Sequence, residues 1–119
     1  MSIKKRFVAL RDGYVSRQVQ RAVLPAFSEG ETERWQVVFS GRVQKVGFRQ
    51  ELCEMAQRLT VTGWCENMEN GSVLAQLQGT GEELKFLVAF MESLKRIRIT
   101  EKQVEKIAPV LGENEFIRR

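Results

Sequence analysis

Between Gly41 and Gln50 the chain reads GRVQKVGFRQ, which puts two glycines and three cations, Arg42, Lys45 and Arg49, into ten residues. Glycine lets a backbone turn sharply and aim successive N–H groups inward, and a nest of that kind holds anions. A helix that starts straight afterwards adds partial positive charge and unpaired N–H groups at the same point. Arg49, in the first turn of that helix, supplies a planar two-pronged donor suited to phosphate or carboxylate. Helix N-termini ordinarily disfavour cations. Arg49 is therefore either a solvated surface residue or the partner of an anion held between it and the helix. A second stretch, GWCEN at Gly63–Asn67, ends on a carboxamide. Asn67 can donate and accept without carrying charge, which suits it to hold a water in a fixed orientation. Capping the turn that follows is its plainer role. Trp64 reads as a packing residue of the core or rim rather than a stacking platform.

Composition narrows the chemistry available. The 119 residues contain no histidine, which removes His-based triads, His general bases and the commonest metal ligand together. No metal site and no cofactor is called for. There are two cysteines, too few for a disulfide framework and suited to a reducing compartment. Neither opens a Cys-x5-Arg phosphatase loop, because the sixth residue after Cys53 is Leu59 and after Cys65 is Gly71. Both read as small packing residues. A Walker-type lysine loop is absent as well. Apolar residues make up 43% and charged residues 29%, the balance of a globular domain with a modest core. No apolar run approaches the roughly 20 residues that span a bilayer, so a membrane partner is not expected.

The formal charge of +4 is unevenly placed: residues 1–28 carry six cations and one carboxylate, and the remainder is close to neutral. Residues 1–33 read as a basic N-terminal extension, partly helical, with Tyr14, Val15, Val19, Ala22 and Val23 at helical spacing and Pro25 as its stop. It suits packing on the domain, on a partner or on a second copy. A surface-binding basic arm and a transit peptide over 1–27 are the other readings, the last making the location mitochondrial rather than cytoplasmic.

Residues 34–119 must then position the two stretches. Trp35, Val37 and Phe39 alternate as a strand face, and Phe48, Leu52, Met55, Ala56 and Leu59 form a helical stripe. A second strand over 61–68, an Asn-Gly turn in ENG at 69–71, and a third strand through Val73, Ala75 and Leu77 follow. GTGEE at 79–83 opens a helix with Leu84, Leu87, Val88, Met91 and Leu94 inward. A fourth strand falls within 99–107, and EFIRR suggests a short fifth. This β-α-β-β-α-β order is that of an α+β, ferredoxin-like two-layer sandwich, an antiparallel sheet with two helices on one face and a short C-terminal edge strand. Strands one and two then run parallel on either side of strand three, so the bend after strand one lies near Asn67 at the end of strand two.

Together these motifs resemble the acylphosphatase family. Its loop, G-x-V-Q-G-V-x-F-R, is matched in register by Gly41, Val43, Gln44, Val46, Phe48 and Arg49, and its G-W-V-x-N by Gly63, Trp64 and Asn67, with Cys65 where Val is usual. NGSV at 70–73, Gln78–Gly79 and the ending at Phe116–Arg118 also fit, so the resemblance spans about residues 35–119. It implies metal-independent hydrolysis of an acyl phosphate to carboxylate and inorganic phosphate. In that reading Gln44, Lys45, Val46, Gly47, Phe48 and Arg49 hold the phosphoryl group, Arg49 serves catalysis too, and Asn67 positions the attacking water. Such a substrate already carries a good leaving group, so oriented donors and a placed water can replace a strong base. One position departs from the family: Lys45 stands where it has Gly. A left-handed backbone there costs a side chain about 1 kcal/mol or more, while the ammonium would favour an anion. A binding module that keeps the anion loop without turnover is the competing reading. RNA binding on the same topology is a poorer one, because SVLAQLQ at 72–78 offers no aromatic for base stacking.

Overall fold

Alternating apolar residues over 35–39 and 73–77 and two apolar helical stripes dictate which surfaces meet. The computed structural model describes residues 3–119, with α1 (Ile3–Arg21), β1 (Thr32–Arg42), α2 (Phe48–Leu59), β2 (Thr62–Asn67), β3 (Val73–Thr80), α3 (Gly81–Ser93), β4 (Arg98–Ile107) and β5 (Phe116–Arg118) in chain order. The strands form one sheet in the order β4-β1-β3-β2-β5. Its inner face buries Trp35, Val37, Phe39, Val73, Ala75 and Leu77. Against it pack the stripes of α2 (Phe48, Leu52, Met55, Ala56, Leu59) and α3 (Leu84, Leu87, Val88, Met91). The α+β ferredoxin-like sandwich expected from the pattern is therefore the fold, and Trp35 and Phe39 are core residues with no exposed stacking face.

The sheet departs from the expected antiparallel arrangement at one strand. β5 pairs parallel with β2, Gly63 opposite Phe116 and Cys65 opposite Arg118. Topology requires this. β4 is antiparallel to β1 and finishes opposite Arg34, at the end of the sheet where β1 and β2 begin. Residues 108–115 cross beneath that end, so the next strand must run in the direction of β2 and finish beside Asn67. The crossing is pinned by Arg34, which is 2% exposed on the outer face. Its guanidinium donates bidentately to Glu113 (2.8 and 3.1 Å), and also to Gln76 (2.9 Å) and Gln78 (3.0 Å). Burial alone would raise the Glu113 pKa, but hydrogen bonds from Arg34 and Thr62 and the charge of Arg34 bring it below the ordinary value.

Gly41 turns out to belong to β1 rather than to the loop. The β1–β4 register shifts between Ser40 and Gly41, and at φ 122° a Cβ on Gly41 would lie 2.2 Å from the Arg98 carbonyl oxygen. Only glycine fits this bulge. β4 is an edge strand exposed along nearly its whole length. The basic extension forms α1, which rests on α2 through the buried Val15 and Val19. Tyr14 and Val23 are exposed instead. No described helix is long and apolar enough to cross a membrane.

Candidate active site

The chain between β1 and α2 takes two left-handed residues in succession around Val46: Lys45 at φ 62° and Gly47 at φ 78°. Lys45 thus adopts the conformation that its side chain disfavours by about 1 kcal/mol or more. Gly47 is the N-cap of α2 and offers no side-chain acceptor. The contrast with α3 is plain. There Thr80 Oγ1 accepts from the Glu83 N–H while Glu83 Oε1 accepts from the Thr80 N–H, a complete capping box. The first-turn N–H groups of α2 have no such side-chain cap, which leaves them available to an anion.

They border a pocket of about 70 Å3, the scale of a small oxyanion. Lys45, Gly47, Phe48 and Arg49 line it from the loop and helix, and Asn67 lines it from the end of β2. Arg49 and Asn67, eighteen positions apart in sequence, thus share one cavity because β1 and β2 run parallel on either side of β3. Arg49 is half-buried, and its Nη1 donates to the backbone O of Arg119. This contact aims the guanidinium. Asn67 keeps an exposed carboxamide. Gln44 and Val46 do not line the pocket. Gln44 Nε2 donates to the carbonyls of Met68 (2.8 Å) and Ser72 (2.9 Å), tying the loop to the β2–β3 turn just beyond Asn67. Val46 is buried, and its carbonyl accepts from Arg96 Nε.

Four residues at or around the site escaped the sequence reading. Arg118 and Arg11 line the pocket from β5 and α1, which gives it four cations with Lys45 and Arg49, and no carboxylate among its lining residues. Arg118 could not be placed without the direction of β5. Arg11 did leave a signal: it precedes the buried Val15 and Val19 at intervals of four, hence on the same helix face. Beneath the loop, Arg96 joins the Val46 carbonyl to Glu51, 3.8 Å away. Glu51 is fully buried, and neither of its carboxylate oxygens has a hydrogen-bond partner. Burial pushes its pKa up to about 7, with Arg96 opposing and Glu54 adding to the rise. The cysteines are inert by position. Burial, with a smaller contribution from Cys53, pushes the Cys65 thiol up to about 12, and burial also raises Cys53.

Known proteins resemble this chain over most of its length. The family model described as Acylphosphatase matches residues 35–117. The acylphosphatase of Synechococcus sp. (strain WH7803) is 43% identical over 61 residues, covering 51% of this chain, and the chain spans 61% of that relative's length. The acylphosphatase of Pseudomonas paraeruginosa (strain DSM 24068 / PA7) is 40% identical over 80 residues, covering 66% of this chain and 87% of the relative. Among solved structures, an acylphosphatase from Coxiella burnetii superposes with a TM-score of 0.67 at 26% identity, over 74% of this chain and 93% of its own. The matched span begins in β1 and ends in β5, taking in the loop, Arg49 and Asn67 and leaving α1 outside. From β1 onward, the chain belongs to the acylphosphatase family.

Proposed function

We propose that this protein hydrolyses acyl phosphates, with residues 44–49 and Arg49 holding the phosphoryl group and Asn67 orienting the water. The observation that carries the reading is the one pocket shared by Arg49, Asn67 and the side-chain-uncapped start of α2. In this reading the uncapped N–H groups and the Arg49 guanidinium hold the phosphoryl oxygens, so charge developing in the transition state meets donors already in place. The Asn67 carboxamide accepts from one water O–H, and that water's oxygen attacks phosphorus. As the new P–O bond forms, the bond to the acyl oxygen breaks and the carboxylate departs with the electron pair. The water's surplus proton passes to phosphate oxygen or solvent. Gln44 and Val46 lie outside the pocket lining, so their part in this reading is to brace the loop, Gln44 through the Met68 and Ser72 carbonyls and Val46 through Arg96. The acyl group sees little of the small pocket, consistent with recognition of the anhydride rather than of one particular acid.

Phosphate release from acetyl phosphate and benzoyl phosphate tests this directly. Arg49→Ala and Asn67→Ala should each lower kcat/KM roughly 10²- to 10³-fold, the loss typical of removing one transition-state donor. A wild-type rate equal to both variants and to the uncatalysed reaction would overturn the proposal.

A further inference from the structure

The N-terminal helix does more than cover α2. It lies across the phosphate loop so closely that a Cβ on Gly47 would meet Val15 Cγ2 at 3.3 Å and Arg11 Nε at 3.4 Å. From this position Arg11 reaches the pocket wall, where its Nη1 donates to the Lys45 carbonyl at 3.4 Å. Its Nη2 stands 3.5 Å from the Asp12 carboxylate, a half-exposed neighbour. Its Nε–H is buried and has no hydrogen-bond partner. Leaving a buried donor of a charged group unpaired is unfavourable, and the natural remedy is an acceptor in the adjoining cavity.

We infer that Arg11 is a second phosphoryl-binding guanidinium, supplied by α1 from outside the matched family span. The inference rests on the pocket being the phosphoryl site proposed above. Arg49 approaches from the first turn of α2 and is steadied by the Arg119 carbonyl, whereas Arg11 approaches from α1 and is steadied by the Lys45 carbonyl. With an oxyanion present, an Arg11 N–H on the pocket wall gains a charged acceptor, and the bond is charge-assisted. Asp12 balances the guanidinium while the pocket is empty and competes only weakly, because a partly exposed ion pair is worth little. A Cβ at Gly47 would press on Val15 at 3.3 Å and touch Arg11 at 3.4 Å, so the helix packs directly on the bare backbone of the loop. The helix also gives the basic segment a definite task at one of its six cations.

The test uses the full chain with Arg11→Gln, Arg11→Lys and, as a control on the same helix, Arg17→Gln. Arg17 is exposed and does not line the pocket. Inorganic phosphate affinity is measured by calorimetry and by the phosphate-dependent rise in Tm, together with KM and kcat on acetyl phosphate. Arg11→Gln should weaken phosphate binding about tenfold or more and raise KM in parallel, the loss expected for a charge-assisted bond. Arg11→Lys should recover part of that loss, and Arg17→Gln should match wild type. If Arg11→Gln lowers Tm yet binds phosphate like wild type while Arg49→Ala does not, Arg11 is only a structural pin and the inference falls alone. If Arg11→Gln fails to fold, Arg11→Lys decides, with wild-type phosphate affinity overturning the idea. If wild type neither binds phosphate nor hydrolyses acetyl phosphate, the functional proposal itself has failed.

Discussion

Replacing Lys45 by the glycine usual in the family separates backbone strain from electrostatics at a single position. The φ of 62° places Lys45 in the left-handed region, which costs a residue with a Cβ roughly 1–2 kcal/mol. Glycine removes that strain but widens the unfolded ensemble, at a cost of about 0.5–1 kcal/mol. The expected net gain for Lys45→Gly is therefore about 0.5–1 kcal/mol, or a Tm higher by roughly 2–4 °C. The two hydrogen-bond acceptors of the loop, the carbonyls of residues 45 and 46, survive the change, so the anchors from Arg11 and Arg96 remain. Function should move the other way. The ammonium is exposed at the pocket rim, and losing it should raise KM for acetyl phosphate roughly two- to fivefold, an effect that fades as ionic strength rises. Urea unfolding gives the first quantity, and kinetics at 20 mM and 300 mM salt, taken as ~20 and ~300 mM on either side of the ~0.1 M screening scale, give the second. A Lys45→Gly variant less stable than wild type would refute the strain reasoning. A salt-independent change in KM would refute the electrostatic part.

Two further outcomes follow from buried charges. Glu51 has its folded pKa raised from 4.5 to about 7, so the folded chain retains a proton that the unfolded chain releases between those values. Stability should accordingly fall as pH rises from about 4.5 to 7 and level off above; Glu51→Gln should abolish that slope and gain about 3 kcal/mol at neutral pH, as read from urea midpoints across pH. An unchanged slope in the variant would assign the titration elsewhere. Arg34→Ala should cost about 3 kcal/mol, the lower end for breaking a buried pair because Glu113 retains 20% exposure, and thermal unfolding with wild-type kcat would show that the damage is confined to the 108–115 crossing.

The core was readable in the chain because its signals are local. The alternation of Trp35, Val37 and Phe39 and the α2 stripe from Phe48 to Leu59 depend only on near neighbours, and all of these residues are buried. The nearness of Arg49 and Asn67 was also legible, since the strand order alone brings their ends of the sheet together. What stayed hidden depends on long-range closure. The three residues of β5 carry too little pattern to reveal whether they run with or against β2, so the arrival of Arg118 at the pocket and of Arg119 at Arg49 had no local trace. Gln44 illustrates a different limit. Motif position identifies a residue of the loop, but only coordinates distinguish a side chain facing the ligand from one bracing the β2–β3 turn. Gly41 was misassigned for a related reason: a bulge in β1 and a turn after it make the same demand for a positive φ.

At one boundary of the sheet, β4 offers a free row of backbone donors and acceptors ten residues long. A flat margin of that length would template the addition of strands from other molecules, the first step toward cross-β fibrils. Arg98, Glu101, Lys102, Glu105 and Lys106 occupy half of its positions, so an incoming copy would have to surrender hydration around a dense array of ions before any ladder closed. Colloidal behaviour should hinge on this margin far more than on the interior: neutralising those side chains would leave the native molecule intact while inviting it to polymerise.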